Sequence, residues 1–103
     1  MKYYFMITVH FEKENGKDDL YREYIRQVKP IVEQFGGRYL VRTEEIEYLS
    51  EDWQPDRLIL IEFPTEKQMK DCFSSEQYLN IKAKRETSVK SMALIAKGVC
   101  EDE

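Results

Sequence analysis

Two adjacent glycines, Gly36 and Gly37, separate the longest helical pattern of the chain from a segment with the alternation of a strand. In residues 20–35, apolar side chains recur every three or four positions, which is the spacing of one helix face. Residues 38–48 then alternate as a strand does. Because glycine reaches positive φ at little cost, one of the two is expected to end the helix in the left-handed conformation. The junction therefore predicts a mixed α and β fold.

Apolar and β-branched residues predict three further strands. In residues 3–11 the odd positions are all apolar and the even positions are mixed, while residues 57–63 and 89–97 are similarly rich in strand-forming side chains. The order strand, helix, strand, strand, helix, strand is that of a ferredoxin-like split βαβ unit, with a four-stranded antiparallel sheet. We therefore predict a single α+β domain over residues 1–103.

Local signals set the expected boundaries of the helices. Residues 14–17 have turn composition and precede the first helix, which Pro30 is expected to kink or break just before its own position. Residues 65–68 have the spacing of a capping box, and residues 74–77 repeat it. The last helical region is therefore predicted to be two short helices, the second over about 75–86.

The predicted strands are apolar on both faces. Leu58, Leu60 and Leu94 share one parity, and Ile59 and Ile61 share the other. Helices on one side of the sheet cover only one face, so the second face would expose a large apolar patch. A second copy of the chain is the simplest cover. We therefore expect a homodimer in which two sheets pack face to face, a dimeric α/β barrel.

Composition excludes several classes of partner. The net charge is −4, and Lys and Arg are not gathered in one segment, which disfavours a nucleic-acid partner. No stretch approaches the roughly 18 apolar residues of a membrane span, and the first residues lack a signal-peptide pattern, so we expect no membrane partner and a cytoplasmic location. Cys72 and Cys100 lie far apart and are interpreted as reduced thiols.

The chain contains few residues of the types that hold metals or cofactors. It has one histidine and no zinc spacing, no glycine-rich phosphate loop and no nucleophile motif, so we expect no metal and no cofactor. Glu44, Glu45 and Glu47 could be imagined as a site for a hard metal, but their spacing is not that of a calcium loop. A solvated strand end is the better interpretation.

Arg42 and Glu62 are the main candidates for a functional site. If residues 38–48 and 57–63 form a hairpin centred on residue 52, Arg42 faces Glu62 in a favourable cross-strand pair. Charges in the middle of a strand are costly to bury unless they are paired. The two residues are therefore either a structural ion pair that sets the register or the border of a solvated pocket.

Four other side chains are weaker candidates. Arg85 could reach the same cavity or lie in solvent at a helix end. Tyr39 and Tyr78 could donate hydrogen bonds to a ligand or belong to the core. His10 could act as a general acid or base at the mouth of the pocket, or it could be a surface histidine. Trp53 is expected to anchor its loop or to contact a second subunit.

Several motifs together resemble one family over most of the chain, from Tyr3 to Gly98. They are the Gly-Gly-Arg-Tyr-Leu-Val-Arg block at residues 36–42, the Ile-Glu-Phe-Pro block that ends the third strand, the Ser-Glu-Gln-Tyr element at residues 75–78, and Arg57 and Arg85. This is the family called domain of unknown function 1330. The resemblance implies a dimeric α/β-barrel protein of ferredoxin-like topology and no settled activity.

The sequence departs from the family pattern at four places. Phe35 stands where histidine is common, and Phe73 stands where tryptophan is common. Thr43 and Glu44 replace glycines after the arginine, and Glu76 replaces a proline. The lost histidine argues against histidine-based chemistry at the end of the first helix.

The leading functional hypothesis is a cavity between sheet and helices that holds a small organic ligand, anionic or neutral. Arg42 and Glu62 would border it, with Arg85 as a further candidate. One alternative is an enzyme that resembles the cofactor-free monooxygenases and lactone isomerases of the same barrel superfamily, an analogy of fold alone. The other is a non-catalytic structural or binding dimer. A cavity of about 300 Å³ or more beside Arg42 would favour a ligand-binding role.

Overall fold

The computed structural model describes residues 1–12 and 18–99, and its elements follow the predicted order. They are β1 (Tyr3–Phe11), α1 (Asp18–Gln34), β2 (Arg38–Thr43), β3 (Arg57–Phe63), α2 (Glu66–Ser74), α3 (Glu76–Glu86) and β4 (Val89–Lys97). All strand pairs are antiparallel, in the sheet order β2-β3-β1-β4. The ferredoxin-like prediction is confirmed. The predicted turn at 14–17, Cys100 and the last three residues lie outside the described part of the chain.

The two glycines act as the sequence predicts. Gly36 has a φ of +88°, so it is the residue in the left-handed conformation. The Gly37 amide donates to the carbonyl of Val32 over 2.9 Å, which closes the last turn of α1. A Cβ atom on Gly37 would lie 2.5 Å from Val32 Cγ1 and 2.9 Å from the Phe63 ring. The chain can therefore pass this close to the core only without a side chain at position 37.

Helix α1 runs without interruption through Pro30, so the predicted break does not occur. Pro30 is exposed, whereas Val28 and Val32 on either side of it are buried against the sheet. Pro30 has no backbone N–H and so removes one hydrogen bond of the helix. The packing of the buried face with Val28 and Val32 keeps the helix intact in spite of this loss. None of the helices in the described part of the chain is long and apolar enough to cross a membrane.

The caps of the short helices explain why they are separate. The Thr65 hydroxyl accepts from the amide of Gln68, and the Ser75 hydroxyl accepts from the amide of Tyr78, at 3.1 and 3.2 Å. Ser75 is therefore the cap of α3, not Ser74 as the capping-box spacing suggested. Ser74 is still within α2, where its hydroxyl donates to the carbonyl of Lys70.

The core lies between the helices and the sheet face that carries the odd residues of β1 and β3. We call this the helix face and the opposite one the outer face. The side chains with the least exposure are Val9, Val32, Phe63, Met69 and Cys72. The outer face carries the even residues, and β4 leaves Met92 and Leu94 there 66% and 51% exposed. The second apolar face that the sequence predicts is present.

The predicted pairing of Arg42 with Glu62 is wrong. Strand β2 ends at Thr43 rather than at residue 48, and Arg42 pairs with Ile59 while Arg38 pairs with Glu62. The loop 44–56 does not fold symmetrically about residue 52, because hydrogen bonds hold its second half. Asp56 bonds with β1 through both its amide and its carboxylate, and the Tyr48 hydroxyl donates to the carbonyl of Pro55.

An irregularity at Leu40 changes the face on which Arg42 lies. The pairing of β2 with β3 shifts by one residue between Tyr39 and Val41, as at a β-bulge. Without it, residues 39 and 42 would point to opposite faces. With it, Tyr39 and Arg42 both lie on the helix face, and Arg38 lies on the outer face. Arg38 and Arg42, which a regular strand would place on one face, therefore lie on opposite faces of the sheet.

Candidate functional site

A cavity of about 330 Å³ opens between α1 and the strand ends beside it. We call it the outer cavity. Four of its lining residues are aromatic or aliphatic and four are charged, namely Phe11, Tyr21, Ile25 and Val89, and Glu12, Arg22, Glu44 and Arg57. The volume is within the range of about 300–1,000 Å³ that is usual for sites of small organic ligands.

Arg57 is the residue in this wall with an unmet hydrogen-bonding need. It is the first residue of β3, lies opposite Val9 of β1, and has the odd parity of the helix face. Its Nε is buried and has no hydrogen-bond partner among the described residues. Arg57 also takes part in none of the ion pairs formed among those residues. A buried donor without an acceptor costs about 1–3 kcal/mol. An anion in the cavity would remove that cost.

Arg42 lies beside the outer cavity and supports its wall. Its Nη2 donates to the backbone carbonyl of Ile25 over 3.2 Å, and its Cζ is 5.0 Å from the centre of the Tyr39 ring. The first contact is a charge-assisted hydrogen bond and the second is a cation–π contact. Arg42 therefore connects β2 to α1 through Ile25, a residue of α1 that lines the cavity. Its partners in the structure are a carbonyl and a ring, not Glu62.

A second, smaller cavity of about 30 Å³ lies deeper between the sheet and the helices. We call it the inner chamber. Arg85, Tyr24 and Tyr39 are in its wall, and Tyr21 lines both cavities and so stands between them. The remaining wall is mostly apolar. The chamber brings together Arg85 and Tyr39, two of the candidate residues, without Arg42 or Glu62, and at this volume it is much too small for an organic ligand.

Arg85 is held by hydroxyl groups. Its Nη1 donates to Ser91 Oγ over 2.6 Å and its Nη2 to the Tyr78 hydroxyl over 3.4 Å, while Tyr78 and Tyr24 share a hydrogen bond of 3.2 Å. Its Nε is buried and has no partner among the described residues. Burial opposes the charge of the guanidinium, yet the Tyr78 and Tyr24 hydroxyls raise the pKa of Arg85 above its usual value.

The tyrosines around the chamber are neutral near pH 7. Burial raises the pKa of Tyr39 to about 12 against the opposing field of Arg42, and burial also raises the pKa of Tyr21 and Tyr24. In this state each hydroxyl can donate a hydrogen bond, and none of them is a base near neutral pH.

Glu62 and His10 lie on the outer face, away from both cavities. Glu62 accepts from Lys2 Nζ at 3.2 Å and from the Tyr4 hydroxyl at 3.1 Å, and Arg38 is 3.5 Å away. Burial acts to raise the pKa of Glu62, but these hydrogen bonds and charges bring it below its usual value. His10 pairs with Lys90 across β1 and β4. One cavity cannot contain Arg42, Glu62 and His10 together.

The remaining candidates are spread over the molecule. Trp53 is half exposed in the loop 44–56. Glu44 lines the outer cavity, whereas the amide of Glu45 donates to the side chain of Thr43. Within residues 1–12 and 18–99, no three His, Cys, Asp or Glu side chains cluster as they would around a metal ion. Cys72 is buried, and burial raises the pKa of its thiol to about 12.

Three residues that line the outer cavity are not among the candidates predicted from the sequence, namely Arg57, Tyr21 and Arg22. A signal for Arg57 was available, because it shares the odd parity of Ile59 and Ile61 and is thus a charge on the apolar face of a strand. No comparable signal marks Tyr21, which has the spacing of an ordinary core residue of α1.

Solved structures with the same fold include proteins of unknown function and an oxygenase. A protein of unknown function from Rhodopseudomonas palustris matches with a TM-score of 0.79 at 18% identity, over 96% of this chain and 83% of that one. A dimeric ferredoxin-like protein of unknown function from Jannaschia sp. CCS1 has a TM-score of 0.73 at 12% identity, over 95% and 100%. SnoaB, a cofactor-independent oxygenase from Streptomyces nogalater, has a TM-score of 0.66 at 9% identity, over 94% and 92%. At these identities the likeness is one of fold.

The sequence comparisons identify the family. The comparison with curated proteins gives no significant match. The model of the family described as domain of unknown function DUF1330 matches residues 2–99, which is nearly the whole chain. The chain therefore belongs to the DUF1330 family, as its motifs suggested.

Proposed function

We propose that this protein is a cytoplasmic homodimer of single-domain subunits, each of which binds a small organic anion in its outer cavity. The observation that carries the proposal is the buried, unpartnered Nε of Arg57 in the wall of a cavity of about 330 Å³. A planar guanidinium binds a carboxylate through parallel hydrogen bonds, so a carboxylic acid is the class of ligand that fits it best.

The wall also limits the charge and the shape of the ligand. Phe11, Ile25 and Val89 offer apolar surface for a hydrocarbon or aromatic body. The formal charges of the two arginines in the wall balance those of the two glutamates, so a second negative group on the ligand would meet a carboxylate. A monoanion with a compact apolar body therefore fits better than a polyanion.

Benzoate and benzamide form a matched pair of probes, because they differ chiefly in charge. We expect benzoate to raise the melting temperature of the parent protein in a saturable way and benzamide to have little effect. Arg57→Met should abolish the benzoate response, since it removes the guanidinium and keeps an apolar stem. Melting temperatures measured against ligand concentration at constant ionic strength test this.

Arg38→Met is the matched control for Arg57→Met. Arg38 is also the first residue of its strand, but it lies on the outer face beside Glu62. The control should keep the full benzoate response. Equal stabilisation by benzamide, or loss of the response in Arg38→Met, would contradict the proposed site.

The dimer is proposed from the outer face of the sheet. Met92 and Leu94 are more than half exposed there, on a face that the helices do not cover. The Jannaschia protein, which has a similar fold, is described as dimeric. A second subunit packed on this face would bury the apolar surface of both chains.

A catalytic role stays a prediction. SnoaB is a cofactor-independent oxygenase on a similar fold, and at 9% identity its likeness to this chain extends to the fold only.

A further inference from the structure

We propose that the inner chamber is a binding site for one small inorganic anion of halide size, held by Arg85. The site is separate from the outer cavity, and the proposal does not depend on the organic ligand. It rests on the charge of Arg85, on the charges around the chamber and on the size of the chamber.

The guanidinium of Arg85 lacks a counter-charge. Its partners are the hydroxyls of Ser91 and Tyr78, and the ion pairs formed among the described residues do not include Arg85. A partly buried cation is most often paired with a group of opposite sign, and hydroxyls carry a dipole but no net charge. The buried Nε, which has no acceptor among the same residues, leaves one donor for an ion in the chamber.

Other cations add to the positive potential. Arg42 lies against the ring of Tyr39, which is in the wall of the chamber. The positive charges of Arg57, Arg42 and Arg85 all act to lower the pKa of Tyr21, the residue between the two cavities. The negative charge of Glu44 acts in the opposite direction and has the smallest effect of the four. Arg42 and Arg57 thus add to the positive potential near the chamber, in a chain whose net charge is −4. The attraction for an anion is local and is not a property of the whole surface.

The volume selects the kind of anion. One water molecule needs a cavity volume of about 10–15 Å³, and the chamber has a volume of about 30 Å³. Organic ligands need roughly ten times as much. Most of the wall is apolar, as at Phe5, Ile59 and Phe73, so an ion that loses its hydration shell easily is favoured. Chloride and bromide meet these conditions better than fluoride.

Bromide is a direct probe because its anomalous scattering identifies it in a crystal. Crystals of the parent protein soaked in sodium bromide should show one anomalous peak in the chamber, within hydrogen-bonding reach of Arg85 Nε. In solution, bromide should raise the melting temperature in a saturable way relative to equal concentrations of fluoride. The rise should be about 7 °C at ten times the dissociation constant.

Arg85→Met should lose the saturable response to bromide and the anomalous peak. Arg38→Met is the matched control, because it removes a guanidinium that lies on the outer face beside Glu62, and it should keep the peak. A water without anomalous signal in the parent crystals would overturn the proposal, and so would a peak that persists in Arg85→Met. If Arg85→Met does not fold, the parent crystals and the Arg38→Met control decide the question. Benzoate binding at the outer cavity is an independent readout and can fail without affecting this result.

Discussion

At the scale of single residues, the position of Arg42 decides how its charge is used. Arg42 and Glu62 lie on opposite faces of the sheet, where Arg42 contacts Ile25 and Tyr39, and Glu62 contacts Lys2 and Tyr4. Arg42→Met should therefore lower the free energy of unfolding by about 2 kcal/mol, through loss of a charge-assisted hydrogen bond and a cation–π contact. Denaturant titration measures this change.

The same titration tests whether the two residues are coupled. Because Arg42 and Glu62 share no partner, the effects of Arg42→Met and Glu62→Gln should add in the double variant. A strongly non-additive result would show that the residues interact, and it would contradict the register described here.

At the scale of elements, two neighbouring serines have different roles at the junction of α2 and α3. The Ser75 hydroxyl accepts from the amide of Tyr78 and caps α3, whereas Ser74 is exposed and bonds back to Lys70 within α2. Ser75→Ala should lower the free energy of unfolding by about 1 kcal/mol, the usual cost of a lost N-cap. Ser74→Ala is the matched control and should change stability by less than about 0.5 kcal/mol. Equal effects would mean that the cap has been assigned to the wrong serine.

At the scale of the whole molecule, the outer face determines the assembly. The parent protein should sediment at about twice 12.4 kDa at micromolar concentration. Leu94→Asp should convert it to a monomer, because the change places a charge on the apolar surface of the proposed interface. Leu79→Asp is the control, since Leu79 is 53% exposed on α3, slightly more than the 51% of Leu94. A parent protein that sediments as a folded monomer would contradict the dimer.

Most of the fold could be predicted because its signals are local. The periods of the apolar residues identify the helices and strands. Gly36 is one of two adjacent glycines after the first helix, and glycine reaches a positive φ at little cost. Thr65 caps a helix by accepting from an amide only three residues away. Each of these features depends on a short segment and on its preference for one backbone conformation. They are therefore visible in the sequence alone.

The site depends on contacts between distant segments. The path of the loop 44–56 and the shift at Leu40 set the register of β2 on β3, and this register places Arg38 with Glu62 and Arg42 with α1. A displacement of one residue changes the face of every side chain that follows, and no short segment encodes it. The sequence by itself determined the elements, their order and the two apolar faces of the sheet. Only the tertiary structure decided which arginines meet a cavity, because that requires the packing of α1 on a sheet whose register is set elsewhere.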